Sequence, residues 1–205
     1  MDALKVMPFT PKAPPGIEWK LDKVQFCEII CRPREGAPGP DGIPYSAWRL
    51  AGSALMEVLY EAYDAFMSGE DLPEGFNECL PVFIPKGDEA GDRGTVARAP
   101  SLTRPISLSN TSSKFFALAL NQPLAQVAQV AQVTVHPRQR GFEGGRSITD
   151  NVIEIEGFGQ SYAIAEAEDP AILLFDIRAA FPSLAHTWLW VVLLRMGIPK
   201  AIISA

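Results

Sequence analysis

The chain has 205 residues, 47% of them hydrophobic and 20% charged, enough to bury a core in one large domain or two small ones and too apolar for wholesale disorder. Its formal net charge of −6 excludes a polycation, so any nucleic-acid contact has to come from a local basic surface, with modest non-specific affinity. No signal peptide follows Met1 and no apolar run is long enough to span a bilayer, which leads to the expectation of a soluble, intracellular protein without a membrane partner.

Residues 1–24 carry Pro8, Pro11, Pro14, Pro15 and Gly16 and are expected to be an extended, poorly packed lead-in. A short helix is predicted over 21–30, ended by Arg32-Pro33-Arg34. Cys27, Cys31 and Cys79 fit no zinc spacing and leave an odd count, which points to a reducing compartment and to cysteines acting as small packed side chains. Residues 36–44 are dense in turn formers; glycine supplies positive φ and proline fixes the angles between, so an ordered loop is expected. From Ser53 to Gly69 the apolar positions Leu55, Leu59, Ala62, Tyr63 and Phe66 recur at helical spacing, with Ser53 as the expected N-cap and Gly69 as the expected C-cap.

Residues 78–87 read as a strand ending in Lys86 and a turn, 88–100 as a mobile loop, and 104–109 as the return strand, with Pro105 confined to an edge or a strand start. An antiparallel hairpin results, placing Lys86 near Arg104. Asn110 or Thr111 then caps a helix predicted to reach about Val130. A turn bearing Arg140 and Arg146 follows. Ser147-Ile148-Thr149-Asp150 fits a capping box with Asp in the usual Glu or Gln position, and it opens a helix expected to reach about Tyr162. After Asp169-Pro170, the run Ala171-Ile172-Leu173-Leu174-Phe175 leads straight into Asp176 and reads as a buried strand delivering a carboxylate at its end. Such a carboxylate either caps the next turn or, with the carbonyl after it, holds a hard cation such as Mg²⁺. A last helix over 185–196 is predicted to stop at Gly197, with Pro199 just beyond.

Four of these segments, in this order, resemble the reverse transcriptases of the non-LTR (LINE-type) retrotransposon family. Ala37-Pro38-Gly39-Pro40-Asp41-Gly42-Ile43-Pro44 looks like the family's PGPDGIP loop. Leu80-Pro81-Val82-Phe83-Ile84-Pro85-Lys86 with Arg104-Pro105-Ile106-Ser107-Leu108-Ser109-Asn110 is similar to its paired fingers strands. Gln139-Arg140-Gly141-Phe142 through Arg146-Ser147-Ile148-Thr149-Asp150-Asn151 looks like its Q-x-G-F…R-S-x-x-D-N segment, and Asp176 through Ala180-Phe181 like its first catalytic motif, D-x-x-x-A-F. Group II intron enzymes share much of this pattern.

The resemblance implies an α+β fold, the fingers and partial palm of a right-hand polymerase, with a lead-in over 1–24, a fingers-like region over 25–170 and the palm beginning at 171–205. It implies RNA-directed DNA synthesis by two-metal nucleotidyl transfer, with RNA template, DNA primer and deoxynucleotides as partners and Mg²⁺ as cofactor. By resemblance, Asp176 and the Ile177 carbonyl are metal ligands. Lys86, Arg104, Ala180 and Phe181 are nucleotide-binding, Phe181 as a gate against the ribose 2′-hydroxyl. Arg140 and Arg146 are template contacts.

Departures from the family pattern bear on activity. The family has a second carboxylate motif, an Asp-Asp hairpin, and no Asp-Asp pair occurs in these 205 residues; Pro182 stands where an Asp usually follows D-x-x-x-A-F. The expectation is therefore a fragment cut before the second catalytic motif and inert alone as a polymerase. A non-catalytic nucleic-acid-binding remnant of a retroelement stays open as an alternative, as does part of a group II intron-type enzyme. A hydrolase using His136 or His186 has little support, because no G-x-S-x-G elbow is present.

Overall fold

The computed structural model describes residues 12–33, 35–87, 98–130, 136–141, 144–165, 171–177 and 183–203. The chain divides into two compact units, one Glu18–Pro123, the other Met1–Ile17 with Leu124–Ala205. The division falls within the 25–170 stretch. The mixture of helices and one antiparallel pair of strands is α+β in the general sense.

In the first unit, α1 (Lys23–Cys31) opens on a capping box: Gln25 N–H donates to Asp22 Oδ1 at 2.8 Å and Asp22 N–H to Gln25 Oε1 at 3.0 Å, satisfying two orphan donors reciprocally. A one-and-a-half-turn helix α2 (Tyr45–Leu50) precedes α3 (Gly52–Met67). α3 begins without a side-chain cap rather than with the expected Ser53 cap. Its end is as expected: Gly69 takes φ 97, so Glu70 N–H can reach Ala65 O at 3.1 Å and Gly69 N–H Phe66 O at 3.0 Å.

Strands β1 (Cys79–Pro85) and β2 (Thr103–Ser109) pair antiparallel, with Cys79 opposite Ser109 and Pro85 opposite Thr103. A 3-10 turn over Pro100–Leu102 leads into β2. Helix α4 (Thr111–Val130) follows, its first carbonyl partner being Asn110 O, which accepts Lys114 N–H at 3.2 Å. The core gathers α1, α2, α3 and the first half of α4: Phe26, Ile30, Trp48, Leu59, Tyr63, Phe115 and Phe116 are buried together. Phe26 stacks on Tyr63 at 4.7 Å between ring centres, and Phe116 meets Tyr63 edge-on at 5.7 Å, geometries that suit the ring quadrupole.

Burial pushes the Tyr63 phenol above its ordinary 10.0, opposed by Leu21 N–H, which donates to its oxygen. Since the folded-state value is the raised one, this contribution to stability is fully present below the unfolded phenol's pKa and is lost as pH rises through the folded value. The melting temperature is thus expected to fall above about pH 10, and less steeply in Tyr63→Phe. Tyr45, also raised by burial, keeps part of the slope. Parallel melting-temperature profiles for parent and variant between neutral and alkaline pH would refute the assignment.

The second unit contains α5 (Thr149–Ile164), α6 (His186–Met196) and the short α7 (Lys200–Ile203). Two sequence expectations fail in it. The Ser147–Asp150 capping box does not form; the helix starts at Thr149, and Ser147 Oγ instead accepts Thr149 N–H at 3.2 Å. Helix α5 has no buried residue. Residues 171–177 are in no strand, and the one sheet among the described residues holds β1 and β2 alone. Leu174 is 85% exposed and Phe175 90%. An apolar run becomes a buried strand only when neighbouring strands take its N–H and C=O groups and a layer covers its face, and no described segment does either.

Candidate functional site

Two of the four motif segments meet in the first unit. The turn-rich sequence of 37–44 folds against the junction of β2 and α4. Asn110 stands at the point where the strand becomes a helix, and its Oδ1 accepts Asp41 N–H at 3.1 Å. Asp41 in turn accepts Ile43 N–H on Oδ1 at 3.0 Å, an Asx turn that fixes the loop's shape. Thr111, fully buried, donates its hydroxyl to Ile43 O at 2.9 Å and accepts from Trp48 Nε1 at 2.7 Å. Lys114 Nζ reaches Ala37 O at 3.1 Å and lies 5.8 Å from the centre of the Tyr45 ring.

Gly39 makes this fit possible. A Cβ built there would lie 2.5 Å from the Ser109 carbonyl carbon, and closer still to the Asn110 amide nitrogen and Oδ1. Gly42 serves differently, through its φ of 70, with open space around it. Sequence reasoning named Gly39, Asp41 and Asn110 as motif members but missed that Asn110, Thr111 and Trp48 join the segments. The available signal was polar Asn110-Thr111 ahead of the apolar helix.

On the hairpin, Arg104 stands opposite Ile84, and the ladder continues past β1 through Lys86 N–H to Leu102 O at 2.9 Å. Lys86 falls one residue past β1, at a bend. Both cations are exposed. Lys86 Nζ donates to Ser101 O at 3.0 Å, and Arg98 Nη1 donates to Lys86 O at 2.8 Å, which ties the strand end to the residues before β2. Arg104's face of the hairpin also carries Leu80, Val82, Ile84, Ile106 and Leu108, an aliphatic stripe.

The remaining expected site residues belong to the second unit. Arg140 Nη1 donates to Asn151 Oδ1 at 2.9 Å and to Glu154 Oε2 at 3.1 Å. Arg146 Nη1 donates to His136 O at 3.0 Å and Gln139 O at 2.8 Å. Asn151 Nδ2 closes the network on Arg138 O at 3.3 Å. Arg140 thus fastens the turn to the start of α5 while Arg146 closes the turn on its own carbonyls, and Glu154 already sits against the Arg140 charge. A template phosphate at Arg140 would have to compete with that carboxylate.

Asp176 and Ile177 lie in the exposed 171–177 segment. Ala180 and Phe181 lie outside the described residues, so the structure does not bear on the expected sugar gate. Among the described residues no group of three or more His, Cys, Asp or Glu side chains could hold a metal ion. One exposed carboxylate and a neighbouring carbonyl are too few donors for Mg²⁺, which requires near-octahedral coordination, and no metal-dependent step follows from these side chains. No described helix is long and apolar enough to cross a membrane. No protein-family model matches the chain.

Proposed function

We propose that the chain is the fingers and early palm of a reverse transcriptase, holding the phosphates of a nucleotide or nucleic-acid strand on the hairpin that carries Lys86 and Arg104. The observation that supports this reading is a pair of exposed cations on the hairpin, Arg104 in β2 opposite Ile84 and Lys86 one residue past β1, whose backbone N–H reaches Leu102 O at 2.9 Å. The fit of the 37–44 loop to the Asn110–Thr111 junction adds support, because the two segments that resemble family motifs interlock through a glycine that admits no side chain. Paired cations bind phosphate through charge and carry no sequence information. In this reading Asp176 is the first carboxylate of a catalytic set, with no Asp-Asp pair in the 205 residues to complete it.

The test is a salt titration of single-stranded RNA binding by the parent chain, Lys86→Ala and Arg104→Ala. Each replacement is expected to weaken binding alike on unrelated sequences and to reduce the slope of log K against log salt by about one. Three identical slopes would show that neither cation meets phosphate and would remove the reading's main support.

A further inference from the structure

The last four carbonyls of a helix have no partner within it, and in α6 all four are taken. Gly197, in the left-handed conformation at φ 85, turns the chain so that its own N–H reaches Leu194 O at 3.1 Å, and Ile198 N–H reaches Leu193 O at 3.1 Å. The remaining two go to residues from the other end of the sequence. Ala13 N–H donates to Met196 O at 2.7 Å, and Lys12 Nζ donates to Arg195 O. The ammonium stands at the negative pole of the helix, where a cation is favoured. The segment's composition suits this task. Pro14 and Pro15 have no N–H and a fixed φ, and a residue before proline is itself restricted, so Ala13 presents its donor with less conformational freedom to lose. Just beyond the helix, Ile198 and Ile202 are buried, and Ile202 N–H bonds to Pro199 O at 3.1 Å, so α7 opens directly after the α6 stop.

We propose that residues 12 and 13 form a strap that fastens the corner between α6 and α7, and that the corner loosens whenever the strap lifts. Residues 12 and 13 are then a working part of the second unit. Strap docking and corner order are linked, so a change in one shifts the other.

Amide hydrogen exchange by NMR on the full chain tests this without nucleotide or nucleic acid, so its failure leaves the polymerase reading untouched, and the reverse. In the parent, the Ala13 amide is expected to exchange at least about tenfold more slowly than a free peptide, as a hydrogen-bonded donor does. Ala13→Pro removes this donor from an already proline-rich segment. It is expected to speed exchange at Gly197 and Ile198 roughly two- to tenfold, the range set by one net hydrogen bond, while Phe26 in α1 stays as in the parent. Ala13→Gly keeps the N–H and should leave all three rates nearly unchanged. An unprotected Ala13 amide in the parent overturns the strap. Parent-like rates at Gly197 and Ile198 in Ala13→Pro overturn it equally.

Discussion

Replacing Thr111 with valine is expected to lower the unfolding free energy by about 2–4 kcal/mol, although the two side chains have nearly the same shape. The reason is what valine leaves behind. Trp48 Nε1 is a buried donor whose partner is Thr111 Oγ1 at 2.7 Å, and Ile43 O accepts the Thr111 hydroxyl at 2.9 Å. A buried polar group stripped of its partner costs about 1–3 kcal/mol, and the Ile43 carbonyl, being part-buried, contributes the smaller share. Trp48→Phe should cost less in hydrogen bonding, because it removes the donor itself and leaves the Thr111 hydroxyl on Ile43 O. In the double variant, the Trp48 part of the Thr111→Val penalty should disappear, and that non-additivity is the signature of a direct bond. Urea unfolding at unchanged slope measures all three. A Thr111→Val change within about 0.5 kcal/mol of zero, the usual span of a neutral surface substitution, would mean the hydroxyl bridges nothing.

The readable parts of the fold are those set by neighbouring residues. The stop of α6 at Gly197, with Pro199 beyond, the start of α4 at Asn110-Thr111 and the hairpin of β1 and β2 were all legible, because a left-handed glycine, a polar-to-apolar step and two short strands around a polar loop are local signals. The two capping-box patterns show how thin such a signal is. Asp22-x-x-Gln25 closes its box and was overlooked, whereas Ser147-x-x-Asp150 was expected and does not close. In the second case the helix begins two residues after Ser147, so the serine hydroxyl serves a local turn instead.

Helix α2, at six residues, is shorter than the periodicity windows that reveal helices, and Trp48 is held there by a contact to Thr111, 63 positions away. The 171–177 run failed for the opposite reason. Its composition suits a buried strand, but whether partners exist to bury it depends on segments far along the chain, and periodicity carries no information about them. Of the candidate site, the position of Arg104 in the return strand was legible from spacing. The interlock at Asn110 and Thr111 was not, since it depends on which loop lands on which helix start.

The same interlock makes Gly39 the position in the 37–44 loop least able to accept a side chain. Gly39→Ala is expected to cost about 2–3 kcal/mol, toward the upper part of the range for overpacked sites, because the new methyl meets backbone. It would stand 2.5 Å from the Ser109 carbonyl carbon and nearer to the Asn110 nitrogen, atoms that belong to the end of β2 and the start of α4 and cannot swing aside as a side-chain tip can. Two companion variants separate this from other glycine effects. Gly36→Ala places its Cβ 3.6 Å from the Tyr45 ring, an ordinary contact, and should stay within about 0.5 kcal/mol of the parent. Asn110→Ala alone should cost about 0.5–1.5 kcal/mol for the lost bond from Asp41 N–H. Combined with Gly39→Ala it should give no rescue, since truncating Asn110 removes Oδ1 but leaves its backbone nitrogen and the Ser109 carbonyl in place. Recovery of stability in that double variant would show that the close approach is to a movable side chain, and that the loop rests on Asn110 without touching the strand-to-helix backbone.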